Sequence, residues 1–490
     1  MPPPSPPLRL ALLLDDPPPP WQLALQDGLP HRVQKIMAQA VLPHAQDPYA
    51  RLDHRLFAQP DAPPPAAPPL PRLDPALLQD VDLLLDLRLP APDLPPLPVP
   101  AARMLAGEDG LDAQDAWYRG AHALALTLDV QQPDGTRHQR LLARIATDRT
   151  SWQRTLRRLL ATVQRWWPRV LAHWPLDLQP APARKPSKPA PWLPALARTT
   201  ATLLARKLRH HTIGQAWRIG IRPRKPALLP LILAEFHWLP TPRGCFDADP
   251  FLVRAAEQSW LFFERMPPHS TRGEIWVAPL NADGQPQAAH RVLKAEHHLA
   301  FPQVFRADDQ WWMVPDSAGA DGIQVFQAHA FPDDWRLTDV WLPGQSWVDP
   351  VLHHDGQRWW LLATPQFDGQ VTSDELHAFW SPRLGAPWTP HPLNPVQADV
   401  RWARSAGRLQ LQHGELWRPA QDCAADYGAG MTLRRIDAMT PETWQESTVL
   451  HVAARPADGW DGVHTWNSDG VFEAIDVRLW LPGRARPLAK

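Results

Sequence analysis

One short pattern recurs five times along the second half of the chain, about every 50 residues. It reads ADPFLVRAAEQSWLFFE from Ala248, FPQVFRADDQWWMVPD from Phe301 and VDPVLHHDGQRWWLLAT from Val348. It continues as RWARSAGRLQLQHGELWR from Arg401 and GVHTWNSDGVFEAID from Gly462. Each unit joins a short strand through a tight turn to an apolar, usually aromatic strand. The pairs Asp355-Gly356 and Asp469-Gly470 predict type I′ hairpin turns. Such a period suits four-stranded sheets set radially, so five units predict a five-bladed β-propeller over residues 211–490. The segment WRIGI at 217–221 is expected to supply the strand that closes the ring.

The first half has a different texture. Apolar stretches at 8–14, 81–87 (VDLLLDL) and 124–128 read as buried strands, and 21–29 as a helix. Residues 150–167 place Trp152, Leu156, Leu159, Leu160, Val163 and Trp167 on one helical face, with Pro168 expected to end or kink the helix. Strands alternating with helices predict an α/β domain, Rossmann-like, with a small parallel sheet over residues 1–176. A Pro-rich linker and a basic amphipathic helix at 196–210 fill 177–210. Much of the proline, 61 residues in all, lies in low-complexity runs that exclude regular helix and central strand.

The formal net charge of -1 gives no field to draw the chain to nucleic acid. Two cysteines far apart make neither a disulfide framework nor a zinc cluster and suit a reducing compartment. The opening MPPPSPPLRLALLLDD lacks the basic region and cleavage site of a signal peptide, and no apolar run is long enough to span a bilayer. A cytoplasmic protein without transmembrane segment is therefore expected. No GxGxxG, P-loop, metal-binding His pair or nucleophile elbow is present, so neither cofactor nor metal is expected.

Inner strands of a propeller aim their first residues at the central channel, so positions about 50 apart can share one site. The repeat sets Asp249, Asp349, Arg404 and His464 at equivalent inner positions, and Asp316 follows the second aromatic strand. Carboxylates grip sugar hydroxyls, and a pair of them can perform acid–base work at a glycosidic bond. Of 26 tryptophans, 19 lie beyond residue 210, which fits a carbohydrate site and equally fits packing between blades. Asp-Pro at a strand start also serves as a plain turn device.

The motifs ADPF at 248–251, Gly273-Glu274-Ile275, Phe301-Pro302, AHAFPDDW at 328–335, the Asp349 strand, HPLNPV at 391–396, QDCAADYG at 421–428 and GVHTWN at 462–467 occur in order. In these the propeller resembles the N-terminal module of the glucosamine inositolphosphorylceramide transferase family, found in plants and as stand-alone bacterial proteins. That module is in turn similar to the five-bladed propellers of glycoside hydrolase family 43. The resemblance implies a base at Asp249 and a pKa-tuning role for Asp349. The family's Glu acid on the fourth blade has no counterpart: Arg404 stands there, with Glu415 and Asp422 the next carboxylates downstream. Asp316 stands where the related module often has Glu.

Residues 1–176 resemble, more weakly, the N-terminal domain of formyltransferases, through RLALLLDD, VDLLLDL and AWYRGAHALALTLDV. Those enzymes use an Asn–His–Asp set, but 104–115 contains neither His nor Asn, and His122 sits at a loop position. A degenerate domain without formyl transfer is expected, open to a protein partner. Three functions follow for the propeller: a sugar-active enzyme with Asp249, Asp349 and Asp316 at work, a glycan-binding protein using Arg404 and His464 in the same funnel, or a protein-interaction scaffold with an inert funnel.

Overall fold

The computed structural model describes residues 8–16, 18–25, 28–39, 48–57, 70–88, 94–107, 113–182, 190–225, 232–367, 370–371, 373–453 and 459–482. Most of the proline-rich runs lie outside them. The chain divides into two compact units, Met1–Leu204 and Ala205–Lys490.

The first unit is built on a seven-stranded sheet. Arg32–Gln39, Arg9–Asp15, Leu83–Asp86 and Ala101–Ala106 lie side by side and parallel. Leu10 to Leu14 are fully buried, as a central parallel strand covered on both faces requires. The expected parallel sheet is only half of the structure. Ala123–Gln131 joins antiparallel, followed by Arg137–Ala146 and Gln179–Pro180. The Asp134-Gly135 turn, with Gly135 at φ +86°, folds 123–146 into a hairpin, so this half cannot run parallel. The buried Asp129 anchors the junction through Arg103 at 2.9 Å and Arg137 at 2.6 Å. The unit is a mixed α/β sheet, and its topology goes no further toward a Rossmann or formyltransferase fold. His122, on the turn before Ala123, is exposed.

The helix Trp152–Ala172 is capped by Ser151, whose hydroxyl accepts from the amide of Arg154. It runs through Pro168 instead of ending there. An interior proline costs about 3 kcal/mol. Trp167, Val170 and Leu171 are all buried around it, and burying side chains of this size returns roughly 1.5–3 kcal/mol each. A second long helix, Trp192–Thr212, covers the basic stretch.

The second unit is the five-bladed propeller. Four sheets have the order expected from chain sequence, with inner strands Phe246–Ala255, Ala300–Ala307, Ser346–His354 and Gln410–Gln412. In the fourth blade the repeat starts earlier than the strand. Residues 401–409 form turns with one β-bridge, Ser405 to Ala420. The fifth sheet is composite: Trp460–Ser468 and Phe472–Pro482 pair with Ile213–Pro223 and His237–Trp238 from the start of the unit. The expected closing strand is thus the third strand of this blade, zipped over eleven residue pairs from Phe472–Pro223 to Pro482–Ile213. Gly356 and Gly470 take φ +97° and +95°, but Asp355 and Asp469 stay out of the left-handed region, so the turns are not type I′. Each Asp carboxylate instead accepts from the amides two and three residues on.

The inner strands share a bulge. Register breaks between Ala248 and Phe251, Ala300 and Gln303, Val348 and Val351, and Val463 and Trp466. The skipped residues are Asp249-Pro250, Phe301-Pro302, Asp349-Pro350 and His464-Thr465. A proline cannot donate to the ladder, so a bulge is where a strand this central can accept one. The residue before each proline takes positive φ: +50° at Asp249, +47° at Phe301 and +48° at Asp349.

A buried ion pair joins two strands of the sheet that closes the ring. Arg222 on the first-entering strand and Glu473 on the last meet at 2.7 Å, both almost without solvent contact. Glu473→Ala should destabilise the propeller by about 3–5 kcal/mol, since it leaves the guanidinium buried with less than its full complement. Equilibrium urea unfolding of the whole chain checks this. A loss below about 1 kcal/mol would show that the zipper of backbone bonds closes the ring unaided.

Candidate functional site

The bulges turn side chains into the channel at one end of the barrel of inner strands. Asp249, Asp349 and His464 occupy the same bulge position on blades one, three and five. Arg404 comes from the turns that precede the fourth inner strand, not from a strand, and reaches Asp349 with Nε at 2.5 Å from Oδ2. Asp316 ends the second strand of blade two. All five are buried, at 2–6% exposure.

The repeat aligns more than the bulges. Opposite Ala248, Ala300 and Val348 across the first hairpin stand Glu264, Asp316 and Thr364; on blade five that place is Val477, and Asp476 is its neighbour, facing the bulge. Glu264 and Asp476 were not singled out from sequence, although each is the last residue of its repeat unit. The cluster therefore holds five carboxyls: Asp249, Glu264, Asp316, Asp349 and Asp476.

Their partners differ. Asp476 is saturated: Oδ2 accepts from the amide of Asp249 at 2.9 Å, and Oδ1 accepts from the amides of His464 and Thr465 and from His464 Nδ1 at 2.7 Å. Asp249 accepts from Thr465 Oγ1 at 2.6 Å and from the amide of Phe301 at 3.3 Å, and lies 3.5 Å from His464 Nε2. Asp349 Oδ2 accepts from Arg404 and from Gln421 Nε2, the latter at 2.9 Å. Asp316 Oδ1 accepts from the amide of Ala318 at 2.8 Å. Glu264 has no hydrogen bond among the described residues, and its Oε1 is buried.

The aromatic residues serve the same cluster. Trp217 stacks on His464 at 3.8 Å between ring centroids, so its face is spent on the protein. Tyr427, from the QDCAADYG stretch, meets the His464 ring edge-on at 5.4 Å, lies under the Arg404 guanidinium and remains 40% exposed. Most other propeller tryptophans pack between strands, as Trp360, Trp417 and Trp466 do.

Burial and mutual repulsion set the proton affinities. Desolvation pushes Asp316 up to about 8, reinforced by Asp349 and opposed by Arg404. Desolvation also raises Asp249, to about 6, with His464 holding it down and Asp476 and Asp349 pushing it up. Burial, then Asp249, Asp316 and Asp476, raise Glu264 well above the usual carboxylate range. Burial disfavours the charged His464 ring, but Asp476 and Asp249 outweigh it and hold its pKa above the ordinary value. Asp249, at about 6, thus favours its charged form near neutral pH while Asp316, at about 8, favours its protonated form.

Asp249, His464 and Asp476 offer ligand atoms within 4.8 Å of one another, the spacing a metal ion would need. A cation there would have to displace the donors that already fill Asp476, including the His464 Nδ1 proton. The three residues as they stand are a hydrogen-bonded set that orients Asp249.

Because Asp316 and Asp249 bind protons more tightly folded than unfolded, they stabilise the fold fully below about pH 4. That contribution is lost as pH rises through about 6 and about 8. Asp316→Asn keeps the acceptor for Ala318 and removes the upper step. Differential scanning calorimetry should show the melting temperature of the parent falling between pH 5 and 8.5, and that of the variant falling less. Parallel curves would refute the raised pKa of Asp316.

Residues 238–478 match the family model described as "Glucosamine inositolphosphorylceramide transferase 1, N-terminal". The proteins named glucosamine inositolphosphorylceramide transferase 1 from Oryza sativa subsp. japonica and Arabidopsis thaliana are each 29% identical over 231 and 230 residues, 46% of this chain. The match spans only 31% and 30% of those relatives' own length. Among solved structures, a family 117 glycoside hydrolase from Zobellia galactanivorans overlaps 53% of this chain and 90% of its own, at 11% identity and a TM-score of 0.36. The α-L-arabinofuranosidase of Podospora anserina, solved with cellotriose, overlaps 54% of this chain and 98% of its own, at 11% identity and a TM-score of 0.36. The propeller resembles the N-terminal module of the glucosamine inositolphosphorylceramide transferase 1 family over residues 238–478.

Proposed function

We propose that the propeller binds a sugar or glycoconjugate in its central funnel, with Asp249 as the carboxylate that grips it. The observation that carries this reading is the convergence of five buried carboxyls, Arg404 and His464 on one spot, with hydrogen-bonding capacity left unmet. Such groups are costly to bury without partners, and sugar hydroxyls both donate and accept. Ionised Asp249 accepts from a hydroxyl. Asp316, protonated at neutral pH, donates to one. Asp349 is fixed by Arg404 and Gln421 and shapes the field around both. Tyr427 supplies an exposed aromatic surface against a sugar C–H face. The relatives' name, which couples a module like this one to sugar transfer, is consistent with the reading.

The competing reading is a scaffold whose funnel is inert and whose rim binds proteins. It leaves the unmet Oε1 of Glu264 unexplained.

Asp249→Asn keeps the shape and an acceptor for Thr465 but removes the charge. Charge-assisted hydrogen bonds contribute on the order of 1.5–3 kcal/mol, so affinity should fall tenfold or more with the fold intact. A glycan array screened with the whole chain, followed by calorimetry on the strongest array glycan with parent and variant, checks this. No binding to any arrayed glycan, or equal binding by both proteins, would leave the scaffold.

A further inference from the structure

We propose that Glu264 is a catalytic proton donor, taking on blade one the role for which blade four has no acid. The inference rests on the sugar-binding reading of the funnel and adds turnover to it.

Asp399, just before Arg404, is paired with Arg401 at 2.6 Å, and the two carboxylates that follow Arg404 in sequence are also unsuitable. Glu415 is exposed and paired with Arg435 at 3.4 Å, and Asp422 is paired with His451 at 3.0 Å. Asp316 carries a proton, but its Oδ1 is committed to the turn amide of Ala318, and Arg404 opposes its protonation. Glu264 holds the same place in the repeat as Asp316, opposite the residue that precedes the bulge, and its side chain is one carbon longer. No described group donates to either of its oxygens.

The carboxyls around it oppose ionisation. Asp247 and Asp249 lie on the adjoining strand of blade one, Asp316 on blade two and Asp476 on blade five. His298 Nε2 lies 3.6 Å from Oε1. The amide of Gly273 donates to His298 Nδ1 at 2.9 Å, so the neutral ring carries its proton on Nε2. Desolvation, opposed by Asp349 and aided by Arg404, lowers the His298 pKa to about 4, so the ring brings no positive charge to stabilise a carboxylate at Glu264.

Gly273 has its own part. A Cβ there would stand 2.4 Å from Glu264 Oε1 and 2.5 Å from the carbonyl oxygen of Leu299, closer than packing allows. Glycine leaves the space in which the carboxyl lies, next to Glu274 and Ile275 of the second hairpin.

The step is a hydrolysis. The glycosidic C–O bond breaks as Glu264 gives its proton to the departing oxygen. Water adds to the anomeric carbon and loses a proton to Asp249. The proton on Asp249 then returns to Glu264 through solvent, so no oxidant or other reactant is required.

The test uses the whole chain and matched 4-nitrophenyl and 2,4-dinitrophenyl glycosides of common pentoses and hexoses. The dinitrophenolate leaves without protonation. For Glu264→Gln, kcat/KM on a 4-nitrophenyl glycoside should fall by 10²-fold or more, a usual size for general acid catalysis. On the dinitrophenyl partner it should stay within about tenfold of the parent. The fall in activity at high pH should disappear in the variant, since it reports loss of the acid's proton. Gly273→Ala, which pushes the carboxyl aside, should give the same split between leaving groups. Asp316→Asn should lower both substrates together. The proposal is overturned if Glu264→Gln lowers both equally, or if the split appears in Asp316→Asn instead. It is also overturned if the parent binds arrayed glycans yet turns over none of the aryl glycosides. A silent array would bring down the sugar-binding reading itself, and with it this one.

Discussion

The amide freed by each inner-strand bulge is what the channel is organised around. Once Asp249 and Phe301 turn left-handed ahead of a proline, their N–H groups leave the ladder and need acceptors. Both find carboxylates on a neighbouring blade: Asp249 donates to Asp476 of blade five, and Phe301 donates to Asp249 of blade one. A strained backbone of this kind costs on the order of 1–3 kcal/mol per residue and persists only where its surroundings over-determine it. Here the same carboxylates that satisfy the backbone also form the site, so the fold and the chemistry share their supports.

The blades are also fastened to each other just beneath the site. Gln303 of blade two exchanges two bonds with the backbone of Leu352 on blade three. Asn467 of blade five donates to the carbonyl of Pro250 on blade one and accepts from the amide of Arg408 on blade four. Arg404 and Gln421 carry blade four to Asp349 on blade three. Each link joins side chain to backbone or charge to charge across a blade boundary, which fixes the funnel walls more tightly than apolar packing alone would. The composite fifth sheet then prevents the ring from opening.

The funnel is electrically unbalanced. Among the described residues five carboxyls face the Arg404 guanidinium and the imidazoles of His464 and His298, and the low-dielectric surroundings do not permit all five to ionise. Arg404 is taken by Asp349, and His464 lies between Asp476 and Asp249. The remaining charge is relieved by protonation, which falls on the members with no cationic partner. This separates Asp249, at about 6, from Asp316, at about 8, and from Glu264, held above the usual carboxylate range, without any residue type that would announce itself as acid or base. Pairs of titratable groups pushed apart in this way are how a single fold supports opposite proton-transfer roles.

Much of this was legible in the repeat. Period, tight turns and aromatic strands identified five blades and the closing strand, because each blade is a local unit whose pattern depends little on its neighbours. The Asp-Pro and His-Thr positions could be aligned for the same reason. The alternation of strands and helices in the first unit was legible too, but the direction of its later strands was not. A parallel and an antiparallel strand bury similar side chains, and the Asp134-Gly135 hairpin decided between them. Arg404 aligned with the bulge residues in sequence yet arrives from turns, since its blade begins its strand later. Glu264 stayed hidden at the end of an aromatic strand. Its environment is assembled from Gly273, His298 and carboxyls on three blades, and no window of sequence contains them together. Composition and local pattern determined that this chain builds a propeller with acids at its inner strands. Which of those acids keep their protons was decided only by the tertiary structure, because desolvation and through-space repulsion depend on distances that closing the ring creates.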